Sequence, residues 1–266
     1  MKRKMLVLLL ACAICLGLVS EVLRPVSAAW AQDSALAAAK KRGRLIIGVK
    51  YDYPPYGFVS EKKEVVGLEP DMAREFASYL FGSHSAVEFV EVTSANRIPF
   101  LATGKIDFIL ATMTITPERA KTIAFSDPYY NGGITIMVPK DTTDINKMAD
   151  LSGKRVIVTQ GSTSDVAVSK LSPAPRQILK FVHITECFSA LQAGRADAFV
   201  QDITILKPFA DRNPNFKVVG GLYNEEVWGI GLRKDDRETL EWVNASLRRL
   251  RESGKFDELV KKWLGG

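Results

Sequence analysis

Apolar and polar residues alternate along this chain in two rhythms, and those rhythms predict its elements. Met72, Ala73, Phe76 and Leu80 recur at helical spacing before Gly82, so residues 69–80 are predicted to form a helix. Leu240, Val243, Leu247 and Leu250 predict another helix from residue 238, ended by Gly254, with a last short helix over 256–263. Short apolar runs at 45–49, 87–92, 106–111, 132–138, 154–159, 197–200, 217–219 and 228–232 predict strands. Further helices are expected from a Ser94 cap to about Gly104, from Asp165 onward, and over 188–193 before Gly194. Helices alternating with strands indicate an α/β fold.

The first 31 residues break this rhythm. Lys2, Arg3 and Lys4 precede an apolar stretch over 5–19, and small residues then offer cleavage after Ala28 or Ala31. This is the pattern of a secretory signal peptide, too short in its apolar part for a membrane span. Cleavage after Ala31 is expected, leaving Gln32 first. Leu9, Leu10, Ala11 and Cys12 only faintly resemble a lipidation motif.

Removing residues 1–31 lowers the formal charge from +6 to +3, because the segment carries Lys2, Arg3, Lys4 and Arg24 against Glu21. No basic stripe with interleaved aromatics accompanies that charge, which argues against a nucleic-acid partner. Of three cysteines only Cys187 remains after cleavage, so an intramolecular disulfide is excluded. Two histidines, His84 and His183, stand without ligand spacing, so neither a metal nor a cofactor is expected.

The stretch ATMTITPERAKTIAFSDPYY, residues 111–130, carries the most chemistry. A strand there would point the hydroxyls of Thr112 and Thr114 to one face. Thr116 suits an N-cap and Pro117 the first helical position. Arg119 then falls in the first helical turn, where the macrodipole favours an anion close by. Two hydroxyls and a guanidinium fork together form a clamp for a carboxylate.

This run closely resembles the signature of the bacterial extracellular solute-binding proteins of family 3, receptors that deliver polar amino acids to ABC importers. The resemblance extends over residues 44–264 and implies a two-lobed periplasmic binding protein fold (type II, Venus-flytrap) with two hinge crossings. It places lobe one in 44–138 plus 227–266 and lobe two in 139–226, with crossings near 138–139 and 222–227. A loose echo between LATGKIDFILA (101–111) and LQAGRADAFVQ (191–201) suits two similar lobes.

The resemblance also implies residue roles. Thr112, Thr114 and Arg119 would hold a ligand's α-carboxylate, with Ser162 and Thr163 of the Gly161 turn. Asp202 would take the α-ammonium, although from the residues alone an Asp after a buried strand equally suits the cap of a following helix. Tyr53, in the loop after GVKYDYPPYGF begins, would cover the ligand. Lys50 and Arg97 resemble the basic pair of the glutamate/aspartate-binding branch, with Ser94 adding a hydroxyl. Left unpaired in a closed cleft, two cations cost roughly 3–5 kcal/mol, which argues for an acidic side chain on the ligand.

The expected function is therefore an extracytoplasmic receptor, periplasmic or in the cell envelope, that binds glutamate or aspartate and passes it to the membrane subunits of an ABC transporter. It is expected to work as a monomer and not as an enzyme, since no Ser-His-Asp, Cys-His or paired-carboxylate arrangement is present. The alternatives are a receptor for a neutral polar amino acid such as glutamine, and an enzyme of the cyclohexadienyl-dehydratase kind on the same fold.

Overall fold

Two five-stranded sheets, each flanked by helices, account for most of the chain, as the alternating rhythms predict. The computed structural model describes residues 33–265. The expected signal segment, its cleavage after Ala31, Cys12 and Cys15 lie outside the described residues.

In chain order the elements are α1 (Ala35–Arg42), β1 (Leu45–Val49), β2 (Asp52–Tyr53), β3 (Gly57–Val59), β4 (Val65–Val66), α2 (Leu68–Phe81), β5 (Val87–Glu91), α3 (Arg97–Ala102), β6 (Phe108–Ile109), α4 (Pro117–Ala120), β7 (Ile123–Phe125) and β8 (Tyr130–Pro139). There follow β9 (Arg155–Thr159), α5 (Thr163–Ser169), β10 (Gln177–Phe181), α6 (Ile184–Gln192), β11 (Ala198–Asp202), α7 (Ile203–Arg212), β12 (Phe216–Trp228), β13 (Gly231–Arg233), α8 (Arg237–Glu252) and α9 (Lys255–Leu264).

The first sheet has the order β5-β1-β6-β13-β7 and the second β10-β9-β11-β8-β12; β2, β3 and β4 form a small sheet of their own. In the first sheet β1 runs parallel to β5 and β6, while β13 returns antiparallel between β6 and β7. In the second, β9 is parallel to β10 and β11, and β8 pairs antiparallel with both β11 and β12. The strand over 132–138, expected to close the first unit, thus pairs within the second sheet as part of β8.

Helix α2 shows how the apolar stripe becomes packing. Met72, Ala73 and Phe76 are fully buried, and Gly82 ends the helix in the left-handed region at φ 71°. Burying a ring such as Phe76 contributes about 1.5–3 kcal/mol. Helices α8 and α9 pack against α2, with Val243, Leu247 and Leu250 on the inward stripe of α8.

The echo between residues 101–111 and 191–201 has a physical cause. Gly104 and Gly194 both turn the chain at positive φ, 72° and 66°. Each is followed by an aspartate that caps the neighbouring parallel strand. Asp107 accepts from Ile46 N at 2.7 Å and Asp197 from Arg155 N at 2.8 Å. Each also pairs with an arginine, Arg42 and Arg155 respectively.

Several elements escaped the sequence pattern: α1, β7, β10, the small sheet, and α7, which carries Pro208 inside it. The strand expected over 217–219 is the start of the long β12. Gly220 and Gly221 adopt positive φ there, and the register against β8 shifts between Val219 and Asn224.

Candidate functional site

Residues from both sheets meet around one small cavity, lined by Tyr53, Ser94, Arg97, Thr112, Thr114, Arg119, Ser162, Thr163 and Asp202, nine of the ten residues singled out in the sequence. Lys50 stands one layer back. Its amine donates to Ser94 Oγ at 3.0 Å and lies 5.2 Å from the centre of the Tyr53 ring.

The residues of the expected clamp come together at this cavity, but by a different local route. Thr116 caps α4 and accepts from Arg119 N at 3.2 Å, with Pro117 at the first position, as the sequence predicts. Thr112 and Thr114, however, do not lie on a regular strand. β6 ends at Ile109, Thr112 adopts φ 45°, and Thr114 makes a single bridge to Trp228. A threonine in the left-handed region is strained, so something must hold it. Glu69 does so by accepting from Thr112 N at 2.6 Å, and Arg97 Nη1 donates to Ala111 O at 2.6 Å.

Arg119 reaches across the cleft. Its Nη1 donates to Thr114 O at 2.8 Å and its Nη2 to Gly161 O at 3.2 Å, tying the two halves together. Gly161, at φ 76°, comes so close to Ala95 that a side chain there would collide with backbone. Ser162 caps α5 by accepting from Asp165 N at 3.1 Å. Thr163 donates its hydroxyl to Glu226 Oε2 at 3.0 Å.

Asp202 holds the cap position of α7, accepting from Thr204 N at 2.9 Å, and also borders the cavity. Gly132 makes room for it, because a Cβ there would stand 2.3 Å from Asp202 Oδ2. Burial is the main cause that pushes the Asp202 carboxyl up to about 6, against the amide hydrogen bonds and with help from Glu226.

Ser94 is not the cap expected from the sequence. Asn96 precedes α3, and Thr93 and Asn96 exchange hydrogen bonds at 2.8 and 3.2 Å, which frees the Ser94 hydroxyl for Lys50. Arg97 is 2% exposed, so it is not a solvated helix-face cation. Burial, and then repulsion from Arg119, lower its pKa to about 9. Burial, and then Arg97, lower the Lys50 amine to about 7.

Sequence reasoning missed four contributors: Glu69, Gln201, Glu226 and Trp228. Glu226 lies on β12, where its hydroxyl partners Thr114 and Thr163 donate to Oε2 at 2.7 and 3.0 Å and Asn224 Nδ2 donates to Oε1 at 3.2 Å. Glu226 and Trp228 face inward while Val227 is 39% exposed. That alternation was readable, but it runs opposite to hydropathy, with the acid inside and the valine outside. Buried acids at Asp202, Glu226 and Glu69 thus accompany the site's cations without forming ion pairs with them among the described residues, more negative charge than the sequence count allowed.

The sequence that builds this turn and these sheets matches the model of a known family over residues 45–266. The chain belongs to the bacterial extracellular solute-binding proteins, family 3. This solute-binding protein is 36% identical over 235 residues to an ABC transporter glutamine-binding protein of Bacillus subtilis, covering 88% of this chain and 85% of that one. It is 30% identical over 271 residues to a glutamate/aspartate import solute-binding protein of Escherichia coli, covering 98% and 88%. Its fold superposes on a cysteine-binding protein from Campylobacter jejuni with a TM-score of 0.83 at 34% identity, over 87% of this chain and 93% of that one. These relatives are solute-binding proteins, not enzymes, and the two-lobed periplasmic fold expected from the sequence is the one they share. The protein is an extracytoplasmic amino-acid receptor of the ABC import class.

Proposed function

We propose that this receptor binds an acidic amino acid, glutamate or aspartate, in the cavity between its lobes. Thr114, Thr163 and Arg119 anchor the α-carboxylate, with the Thr112 and Ser162 backbone turns beside them. Asp202 takes the α-ammonium and Tyr53 covers the ligand. Arg97, Ser94 and, through Ser94, Lys50 receive the distal carboxylate. The observation that carries this reading is the state of the two buried cations. Among the described residues Lys50 and Arg97 make no ion pair with an acidic side chain, and Arg97 Nε lacks a hydrogen-bond partner. Buried cations of that kind favour an anion.

A second reading, a neutral amide-bearing amino acid such as glutamine, is favoured by the buried Glu69 and Glu226 and by the identity to the Bacillus subtilis protein. On either reading the N-terminal segment serves as a signal peptide and the receptor acts as a monomer, with β8, which pairs in the second sheet, assigned to lobe two and not to lobe one as the sequence boundaries had it. Thermal-shift screening of the mature chain against all amino acids separates the two, because the tightest ligand stabilises most by mass action. Shifts for glutamate and aspartate above those for glutamine and cysteine support the acidic reading. A larger shift for glutamine replaces it.

A further inference from the structure

Glu226 has no part in the anchor as just described, yet it holds that anchor's donors. A threonine hydroxyl carries a single hydrogen and donates one hydrogen bond. Both Thr114, from the segment after β6, and Thr163, from the start of α5, donate theirs to the same oxygen, Glu226 Oε2. An incoming α-carboxylate that is to receive those two hydrogens must displace this one. If both carboxylates stayed, they would crowd like charges around Arg119 and beside Asp202.

The structure gives Glu226 somewhere to go. It borders the inner cavity and also an outer groove lined by Thr116, Lys170, Tyr223 and Asn224. Rotation of its side chain carries the carboxylate from the hydroxyls toward the groove, where Lys170 supplies a cation. Gly132 stands opposite Glu226 on β8, and the space beside it is taken by the Asp202 carboxylate, so the groove is the side left to Glu226.

We propose that Glu226 is an internal occupant of the carboxylate anchor, a residue of this chain that competes with the ligand's α-carboxylate and so sets the receptor's affinity. The proposal rests on the reading of Thr114, Thr163 and Arg119 as that anchor. Because Glu226 bridges a hydroxyl from each lobe, it also holds the cleft closed until a ligand replaces it. A receptor whose anchor is taken by its own side chain nine-tenths of the time binds roughly tenfold more weakly than one whose anchor is free.

The test is calorimetric titration of the mature protein and of Glu226→Gln with L-glutamate and L-glutamine, with small-angle scattering of both proteins before ligand is added. Glu226→Gln keeps the shape but removes the charge, and it should bind the amino acid roughly tenfold more tightly while its radius of gyration increases before ligand. Glu226→Asp, which withdraws the carboxylate by one methylene, should tighten binding in the same direction and guards against an unstable amide variant. Unchanged or weaker binding in both variants overturns the proposal and makes Glu226 a structural or ammonium-facing acid. If the unaltered protein binds no amino acid at all, the anchor reading itself fails, which is a separate result.

Discussion

Replacing glutamine by glutamate as the titrant should make binding depend on a proton that Lys50 takes up. Burial holds the Lys50 amine at about 7 instead of the usual lysine value of 10.5. A distal carboxylate placed about 6 Å from it, at an effective dielectric of about 20, attracts the charged form by roughly 3 kcal/mol. That raises the pKa in the complex by about two units, to roughly 9. The sign follows directly. The complex holds the proton between about pH 7 and 9 and the free receptor does not, so the Lys50 contribution to affinity is full below pH 7 and falls as pH rises through that window. Between about pH 6.5 and 8.5 the loss is roughly twentyfold, with an uptake of about 0.8 proton per glutamate near pH 8. Calorimetry in two buffers of different ionisation enthalpy measures the uptake. Glutamine serves as the control, since it shares the ammonium, the α-carboxylate and Asp202. Equal pH slopes for the two ligands, or an uptake that survives Lys50→Met, would refute a distal carboxylate near Lys50.

Lys50→Met should also raise stability without ligand. The folded pKa lies below the unfolded one, so the lysine's penalty is full below pH 7 and disappears above 10.5; the gain in melting temperature should shrink accordingly between those limits. Arg119→Ala should weaken every amino acid by about 2–5 kcal/mol, and calorimetry showing a loss confined to acidic ligands would remove Arg119 from the common anchor. Arg97→Ala should weaken glutamate more than glutamine, and identical losses would show that it supports only the loop carbonyls. Asp202→Asn should cost about 2–5 kcal/mol in affinity with little change in melting temperature, because asparagine caps a helix as well as aspartate. In the unaltered protein, affinity should fall as pH drops below about 6, where Asp202 takes up a proton.

Much of the fold and part of the site were legible without coordinates. The helix around Met72 and Phe76 and the strand at Leu45–Val49 follow from periodicity, because one face of each must leave water. The Thr116-Pro117 helix start follows from local hydrogen bonding, which acts over three or four residues. Elements held by distant partners were harder to read. α7 forms despite Pro208, and the tiny β2–β4 sheet pairs residues with weak patterns of their own. The Ser94 cap was misread because Thr93 and Asn96 form their own reciprocal turn. Gly82, Gly104 and Gly194, by contrast, stood out because only glycine turns a chain at positive φ at little cost.

By itself the sequence determined the α/β alternation, the family and the list of donors and charges, since each depends on residue type and local spacing. Tertiary structure alone decided which charges are opposed. Glu69 reaches Thr112 from 43 residues away and Glu226 reaches Thr114 from 112. Coulomb interactions and hydrogen bonds depend on distance in space, and no local pattern in the chain records that distance.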